Sequence, residues 1–219
     1  MRRTVTALAA TVTSVLALSA CGGDEGAELT QEQTAEVLLT EEEFPLEGFT
    51  RGPVAQQEEG SEATAAPDES LAALIEGQEV PEACREALES TSFGDDDLAA
   101  ESSVSFSGDD TTSMLPQNVE LVVATTDGSS PLVPLAEVND ECGEIEIEES
   151  GIAMTLTFAE LEGLEGTRLT IGAADQEFEM TMGGRTLGST VVAVLATGVS
   201  EEDVVRVVEA QVEKVQALG

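Results

Sequence analysis

Alternation of apolar and polar residues is strongest in the last third of the chain. Ile152, Met154, Leu156 and Phe158 occupy every second position, and shorter runs with the same period cover 145–147, 169–171, 178–182 and 191–195. A period of two residues is typical of strands that bury one face. Glycines separate the runs, and we therefore expect turns at Gly163, Gly166 and Gly183-Gly184. The pattern predicts an antiparallel meander with one solvated face.

Helical periodicity is found in four other stretches. Thr30 and Gln33 have the spacing of a capping box before a short helix that runs to Leu39. Pro81 suits the first turn of a helix over 82–90, and 131–142 carries apolar residues at helical spacing. Ser200 is expected to cap a terminal helix with an apolar stripe of five valines. The stripe contains Val204, Val205, Val208, Val212 and Val215.

The middle of the chain predicts two further strands and one long loop. Residues 103–107 alternate, with Val104 and Phe106 on one face, while 119–125 is β-branched and apolar. From Pro53 to Pro67 there is almost nothing to bury, which favours a surface loop. The resulting fold class is α+β: a single domain with an antiparallel sheet packed on one face by helices, including the C-terminal amphipathic helix.

The first 28 residues predict export rather than a folded element. Arg2 and Arg3 precede an uncharged apolar stretch, which ends in Leu18-Ser19-Ala20-Cys21. This ending resembles the lipobox of bacterial lipoproteins, in which the cysteine thiol receives a lipid and the chain is cut just before it. We therefore expect a signal peptide at 1–20, a flexible tether at 21–28 and an extracytoplasmic domain at 29–219. Cys21 would carry acyl chains such as palmitate and hold the protein to the cell membrane.

Charge narrows the range of partners. Six basic and 45 acidic residues follow residue 20, a net charge of −39 on the processed chain. Nucleic acid is excluded as a partner because phosphate binding needs clustered cations. Anionic lipid head groups would be repelled as well, so membrane attachment must come from the acyl chains. The acidity indicates either a solvated surface that keeps the protein soluble and monomeric, or adaptation to a salty exterior.

The other two cysteines are expected to pair. Cys84 and Cys142 form an even set in an oxidising compartment, where a disulfide is the default. Closing their 58-residue separation would contribute about 4 kcal/mol in the chain-entropy model. A free reactive thiol is the alternative.

Catalytic and cofactor chemistry finds little support. The chain has no histidine, which removes the usual general base and the Cys-His nucleophile. Lys214 is its single lysine, expected as a solvated charge, and zinc would lack ligands. A carboxylate pair could hydrolyse a glycoside, but the chain lacks Trp and Tyr platforms for a sugar. We expect no enzyme activity, no catalytic residue, no metal and no cofactor.

Two acidic clusters and two arginines are candidate ligand sites. Asp95–Asp97 and Asp109-Asp110 could gather calcium but lack the alternating spacing of an EF-hand loop, so turn residues are the expectation. Arg168 and Arg185 could hold an anionic ligand, although neutralising nearby acids is the expected role. Met154, Met180 and Met182 are expected in the core.

The order of these features is similar to a known family. A lipobox is followed by "Leu-Leu-Thr…Phe-Pro-Leu-Glu-Gly-Phe" at 38–49, Pro-x-x-Cys at 81–84, a second cysteine after a helix, Gly-Gly-Arg at 183–185 and a closing helix. This resembles actinobacterial lipoproteins related to the extracellular sensor domain of PknH-type receptor kinases, over roughly 29–218. The resemblance implies a sheet backed by helices and a cleft for an unknown extracellular ligand. The resemblance also implies two disulfides, whereas this chain has cysteines for one besides Cys21, and no ligand residue matches a defined motif.

Two functions follow as hypotheses. The first is a non-catalytic surface lipoprotein that binds or senses an unidentified small molecule or extended ligand. The second is a structural or protein-interaction module of the cell envelope, whose anionic surface would meet a basic partner protein or cations. A large apolar cavity between sheet and helices would favour the first. A filled core with a flat apolar patch would favour the second.

Overall fold

Eight strands form one antiparallel sheet in the part of the chain that the structure describes. The structure is a computed structural model, and it describes residues 28–56, 75, 77–91, 98–109, 116–126, 130–149, 151–174 and 176–218. The strands are β1 (Phe49–Gln56), β2 (Leu98–Gly108), β3 (Asn118–Thr126), β4 (Glu144–Glu149), β5 (Ile152–Glu160), β6 (Glu165–Ala173), β7 (Gln176–Leu187) and β8 (Thr190–Thr197). The helices in these ranges are α1 (Gln31–Val37), α2 (Glu82–Ser90), α3 (Leu132–Glu141) and α4 (Glu201–Gln216).

The chain builds the sheet from both edges towards its middle. The strand order is β1-β2-β3-β8-β7-β6-β5-β4, and every neighbouring pair is antiparallel. After β3 the chain passes through α3 to the far edge and returns as a meander from β4 to β8, which then pairs with β3. The predicted C-terminal meander and the α+β class are therefore confirmed.

Helices cover opposite faces of the two halves of the sheet, which corrects the prediction of a single covered face. Val192, Val194 and Ala196 of β8 belong to a core with α1, α4 and strands β2 and β3. Val191 and Ala193, whose side chains point to the other face, pack into a second core with α2, α3 and strands β4 to β7. The prediction failed because a period of two residues shows which positions are buried, but not which helix covers them.

The predicted helix starts are confirmed. The Thr30 side chain accepts a hydrogen bond from the Gln33 N–H, and the Gln33 side chain accepts one from the Thr30 N–H, which completes the capping box of α1. Ser200 caps α4 by accepting from the Asp203 N–H, and three acids lie in the first turn of that helix. Negative charge there is favourable, because the amino end of a helix is partly positive.

A disulfide joins α2 to α3, as predicted for the two cysteines. Cys84 and Cys142 are bonded, with Cα atoms 4.6 Å apart. Both residues are buried in the second core. The free-thiol alternative therefore does not apply, and the crossover helix α3 is tied to α2 across 58 residues of chain.

Three local predictions were wrong. Gly166 does not form a turn but lies near the start of β6, where it pairs with Gly183. Gly183 and Gly184 do not form a turn but lie inside β7, where Gly184 faces Ala193 of the neighbouring strand. A Cβ atom on Gly184 would lie 1.9 Å from the Val192 carbonyl oxygen, so glycine is required there for close approach of two strands. The loop predicted from Pro53 actually begins later, since β1 continues to Gln56. The rest of that predicted loop, 57–67, lies outside the described residues.

No helix among the described residues is long and apolar enough to cross a membrane. The predicted signal peptide, 1–20, and the predicted tether, 21–28, lie outside those residues except for Glu28. Leu29, the first residue of the predicted domain, is buried in the first core, and its carbonyl oxygen accepts a hydrogen bond from the Thr125 hydroxyl.

Candidate functional site

The segment that carries the family resemblance, 38–49, is held to α4 by a buried side-chain amide. Gln211 is fully buried in the apolar stripe of that helix. Its Nε2 donates to the Val37 carbonyl oxygen at 2.8 Å, and its Oε1 accepts from the Leu39 N–H at 3.0 Å. The last turn of α1 would otherwise leave these two backbone groups unpaired inside the core. Gln211 therefore fixes where the 38–49 segment leaves α1.

Charged groups hold the next part of the same segment. The Lys214 ammonium donates to the Leu38 carbonyl oxygen at 2.9 Å and to the Glu43 carboxylate at 2.5 Å. That carboxylate also accepts from the N–H and hydroxyl of Thr40. The hydrogen bond from Lys214, followed by those from Thr40, lowers the pKa of Glu43 to about 2. Lys214 is thus a structural tie, and the prediction that it is a freely solvated charge is wrong.

Stacked phenylalanines anchor the turn at 44–49 to the sheet. The rings of Phe44 and Phe106 stack with centroids 3.9 Å apart, and Phe49 lies 5.3 Å from Phe44 in a tilted arrangement. Gly48 makes the turn between the two aromatic positions with a φ of +80°, which is costly for other residues. Phe49 is partly buried and packs against the first core.

The start of α4 faces the turn at 44–49, and these two segments form the walls of a groove. The Ser200 hydroxyl donates to the Asp203 carboxylate at 2.7 Å, and Arg206 pairs with the same carboxylate one turn later. The hydrogen bond from Ser200 is the largest cause of a lowered pKa at Asp203, with Arg206 adding to it. Asp203 therefore stays ionised at neutral pH, and its charge is neutralised within the wall.

An open groove of about 520 Å³ lies between these two walls. Its volume is within the range of small-molecule sites. The lining combines four apolar residues with five polar ones, which include one acid, one amide and the Asp203–Arg206 pair. The lining residues are Pro45, Leu46, Glu47, Phe49, Gln117, Val199, Ser200, Asp203 and Arg206. Such a lining offers apolar contacts together with hydrogen-bond donors and acceptors.

The predicted anion-binding arginines are occupied by acids. Arg168 pairs with Glu201 at 2.6 Å and lies 3.9 Å from Glu179. Arg185 lies 3.9 Å from Glu209 and donates to the Gly163 carbonyl oxygen at 3.1 Å. The expectation that these cations neutralise nearby acids is therefore confirmed.

The predicted calcium clusters are only partly visible. Asp109 is exposed, and its N–H donates to the Gly48 carbonyl oxygen, so it lies beside the groove segment. Asp95–Asp97 and Asp110 lie outside the described residues. Among the residues that are described, no group of three acidic or cysteine side chains could hold a metal ion. Met154, Met180 and Met182 pack against the second core, as expected.

Sequence reasoning missed the groove. Its lining comes from three separated segments, 45–49, 117 and 199–206, and none of them carries a recognised binding motif. The sequence does, however, indicate the Gln211 contact with the 38–49 segment, because Gln211 interrupts a stripe of valines at 204, 208, 212 and 215. A polar residue inside an apolar stripe indicates a buried hydrogen-bond partner.

An α+β domain with an open groove of mixed polar and apolar lining is the class that this geometry defines. No protein family model matches the chain, and no curated protein matches it. Among solved structures, it is similar to the crystal structure of the extracellular domain of PknH from Mycobacterium tuberculosis. The two chains are 15% identical, and the similarity covers 88% of this chain and 99% of that one, with a TM-score of 0.49.

Proposed function

We propose that this chain is a lipoprotein of the outer face of the cell membrane, held by lipid on Cys21, whose α+β domain binds or senses a ligand without catalysis. The lipobox ending at Cys21, with its two preceding arginines and apolar stretch, carries this proposal. The Cys84–Cys142 disulfide supports it, because such bonds persist in oxidising compartments.

Lipidation is tested by replacing the acceptor. Cys21→Ala removes the thiol that would receive the lipid. Ser19→Ala, the matched control, changes another residue of the lipobox, keeps a small side chain there and leaves Cys21 in place. Intact-mass spectrometry and detergent phase partition should show a cleaved, acylated form for the control and for the unaltered chain. A processed, membrane-retained Cys21→Ala protein would refute the anchor.

Ligand binding is proposed at the groove beside the start of α4. The mixture of apolar and polar side chains in the lining supports this role, as do the Gln211 hydrogen bonds that hold the 38–49 segment to α4 and the Ser200 cap at the start of that helix. Binding sites work best when their walls are held by such supporting contacts. An unidentified co-purifying molecule would be detected by native mass spectrometry of the protein from its own membrane.

A pair of exposed glutamates allows a matched test of the groove. Glu47 lines the groove, whereas Glu42 lies in the preceding turn and does not. Both Glu47→Trp and Glu42→Trp remove one exposed acid, but only the first fills the groove with an indole. Loss of the co-purified mass from Glu47→Trp alone would support the site. Equal retention in both variants would place the ligand elsewhere.

A further inference from the structure

The two edges of the sheet differ in how open their backbones are. At the β1 edge, Pro53 has no N–H, and the register slips between Arg51 and Val54. The Arg51 N–H at this edge donates to the Glu41 carboxylate at 3.1 Å. These features prevent another strand from adding to β1.

Within the part of the chain that the structure describes, the β4 edge is open over two residues. The Phe158 N–H donates to the Gly143 carbonyl oxygen at 2.7 Å, which sets the phase of the β4–β5 ladder. In an antiparallel pair the bonded positions alternate, so the N–H and C=O groups of Glu144, Glu146 and Glu148 point away from β5. Those of Glu144 and Glu146 have no hydrogen-bond partner among the described residues.

One side-chain amide closes the end of this edge. Gln78 accepts from the Glu148 N–H through Oε1 at 3.2 Å and donates to the Glu148 carbonyl oxygen through Nε2 at 3.0 Å. Its own carbonyl oxygen accepts from Arg85 at 2.9 Å, which holds the Gln78 backbone in place. The amide makes the same two bonds that a residue of a neighbouring strand would make. Strand addition is therefore limited to the Glu144 and Glu146 positions unless Gln78 swings away.

Three glutamate side chains along the β4 edge favour a partner segment with positively charged side chains. Glu144, Glu146 and Glu148 project to the same face of the sheet, and their partners on β5 are Thr157, Thr155 and Ala153. No cation from β5 lies in register to neutralise them. Like charges opposite one another disfavour strand pairing, so a second copy of the same edge would be repelled.

We propose that the open edge of β4 accepts an extended, basic polypeptide segment as a ninth strand. Two partner residues would exchange backbone hydrogen bonds with Glu144 and Glu146, and alternate Lys or Arg side chains would reach the three glutamates. This surface is separate from the groove at the start of α4, and its test does not depend on lipidation.

The test uses a fluorescein-labelled peptide of eight residues alternating Lys and Val, with the full chain purified in mild detergent. Fluorescence anisotropy should show binding to the unaltered protein. A matched peptide with N-methyl groups on three consecutive central residues keeps the charge but loses the backbone donors. Its affinity should fall by about tenfold or more, since the two hydrogen bonds that its backbone would donate to Glu144 and Glu146 are lost.

Two variants are expected to change affinity in opposite directions. Gln78→Ala frees the Glu148 backbone and should tighten peptide binding by about threefold or more. Glu146→Pro removes one outward N–H and should weaken it strongly, while Glu146→Gln, its control, keeps the N–H and loses only charge. If Glu146→Pro does not fold, the N-methyl comparison still decides. Equal affinity for both peptides would show charge attraction alone and overturn the proposal, as would no binding at millimolar peptide.

Discussion

Replacing the buried amide of Gln211 tests whether α4 fixes the segment that lines the groove. In Gln211→Leu the side chain keeps a similar size but loses its donor and acceptor. The Val37 carbonyl oxygen and the Leu39 N–H would then lie unpaired in the core. Each unsatisfied buried group costs roughly 1–3 kcal/mol. We therefore expect the free energy of unfolding to fall by about 2–5 kcal/mol, a large part of the roughly 5–15 kcal/mol typical of a domain.

Thermal and urea unfolding measure this change. For a domain of this size the expected loss corresponds to a fall in Tm of roughly 5–15 °C. Gln216→Leu provides the control, because Gln216 is exposed on the last turn of the same helix. Its effect should stay within about 0.5 kcal/mol. If Gln211→Leu lowered the free energy of unfolding by less than about 1 kcal/mol, the two backbone groups would have found other partners. The role of Gln211 in fixing the 38–49 segment would then be refuted.

Gln211→Glu adds a sign test to the same position. A carboxyl group in this buried site should have a folded-state pKa above its ordinary value of about 4.3, because burial disfavours its charged form. The ionised form cannot donate to the Val37 carbonyl oxygen, whereas the protonated form can. The variant should therefore be closest to the unaltered protein below about pH 4, and should lose stability as pH rises through the raised pKa. A constant difference across pH would contradict burial of the group.

Three further predictions concern the sheet, an ion pair and the surface charge. Gly184→Ala should lower the free energy of unfolding by more than about 3 kcal/mol or prevent folding, because the new Cβ would lie 1.9 Å from the Val192 carbonyl oxygen. Gly172→Ala should be tolerated, because the nearest neighbour of its Cβ would lie 3.8 Å away. Chemical denaturation of both variants compares them. Glu43→Gln should lower the stability at pH 7, because the Lys214 hydrogen bond lowers the pKa of Glu43 to about 2 and stabilises the ionised form. This stabilisation is lost on protonation, so the difference between the two proteins should disappear as pH falls from about 4.5 to about 2. Unfolding midpoints across pH would measure it, and a pH-independent difference would refute it. With a net charge of −39, Tm should rise with sodium chloride between about 0.01 and 0.15 M; a flat Tm would show that the acids are already paired or bind ions.

The sequence was most informative where one local rule decides the structure. Alternation located the strands of the C-terminal meander, and hydroxyl residues at 30 and 200 located two helix starts. The cysteine pair followed from parity and compartment alone. Each of these signals depends on neighbouring residues or on a count, so the rest of the fold does not alter it.

The arrangement of helices could not be read in the same way. In β8 the run from Thr190 to Ala196 is apolar or small at nearly every position, which is typical of a strand buried on both faces. That run is where the two cores meet on opposite sides of the sheet. Strand β1 was missed because Gly52 and Pro53 suggest a break. A bulge accommodates both within the strand.

The placement of cations limits the kind of ligand that the proposed function can involve. Each of the six basic residues after residue 20 contacts an acid or a carbonyl oxygen of the chain itself. An anionic ligand at the groove would have to take Arg206 from Asp203, whose carboxylate would then lie unpaired in the same wall. It would also approach a surface of strong negative charge, which slows association. Neutral polar compounds or cationic groups meet neither obstacle, and they are therefore the ligands to test first at the groove.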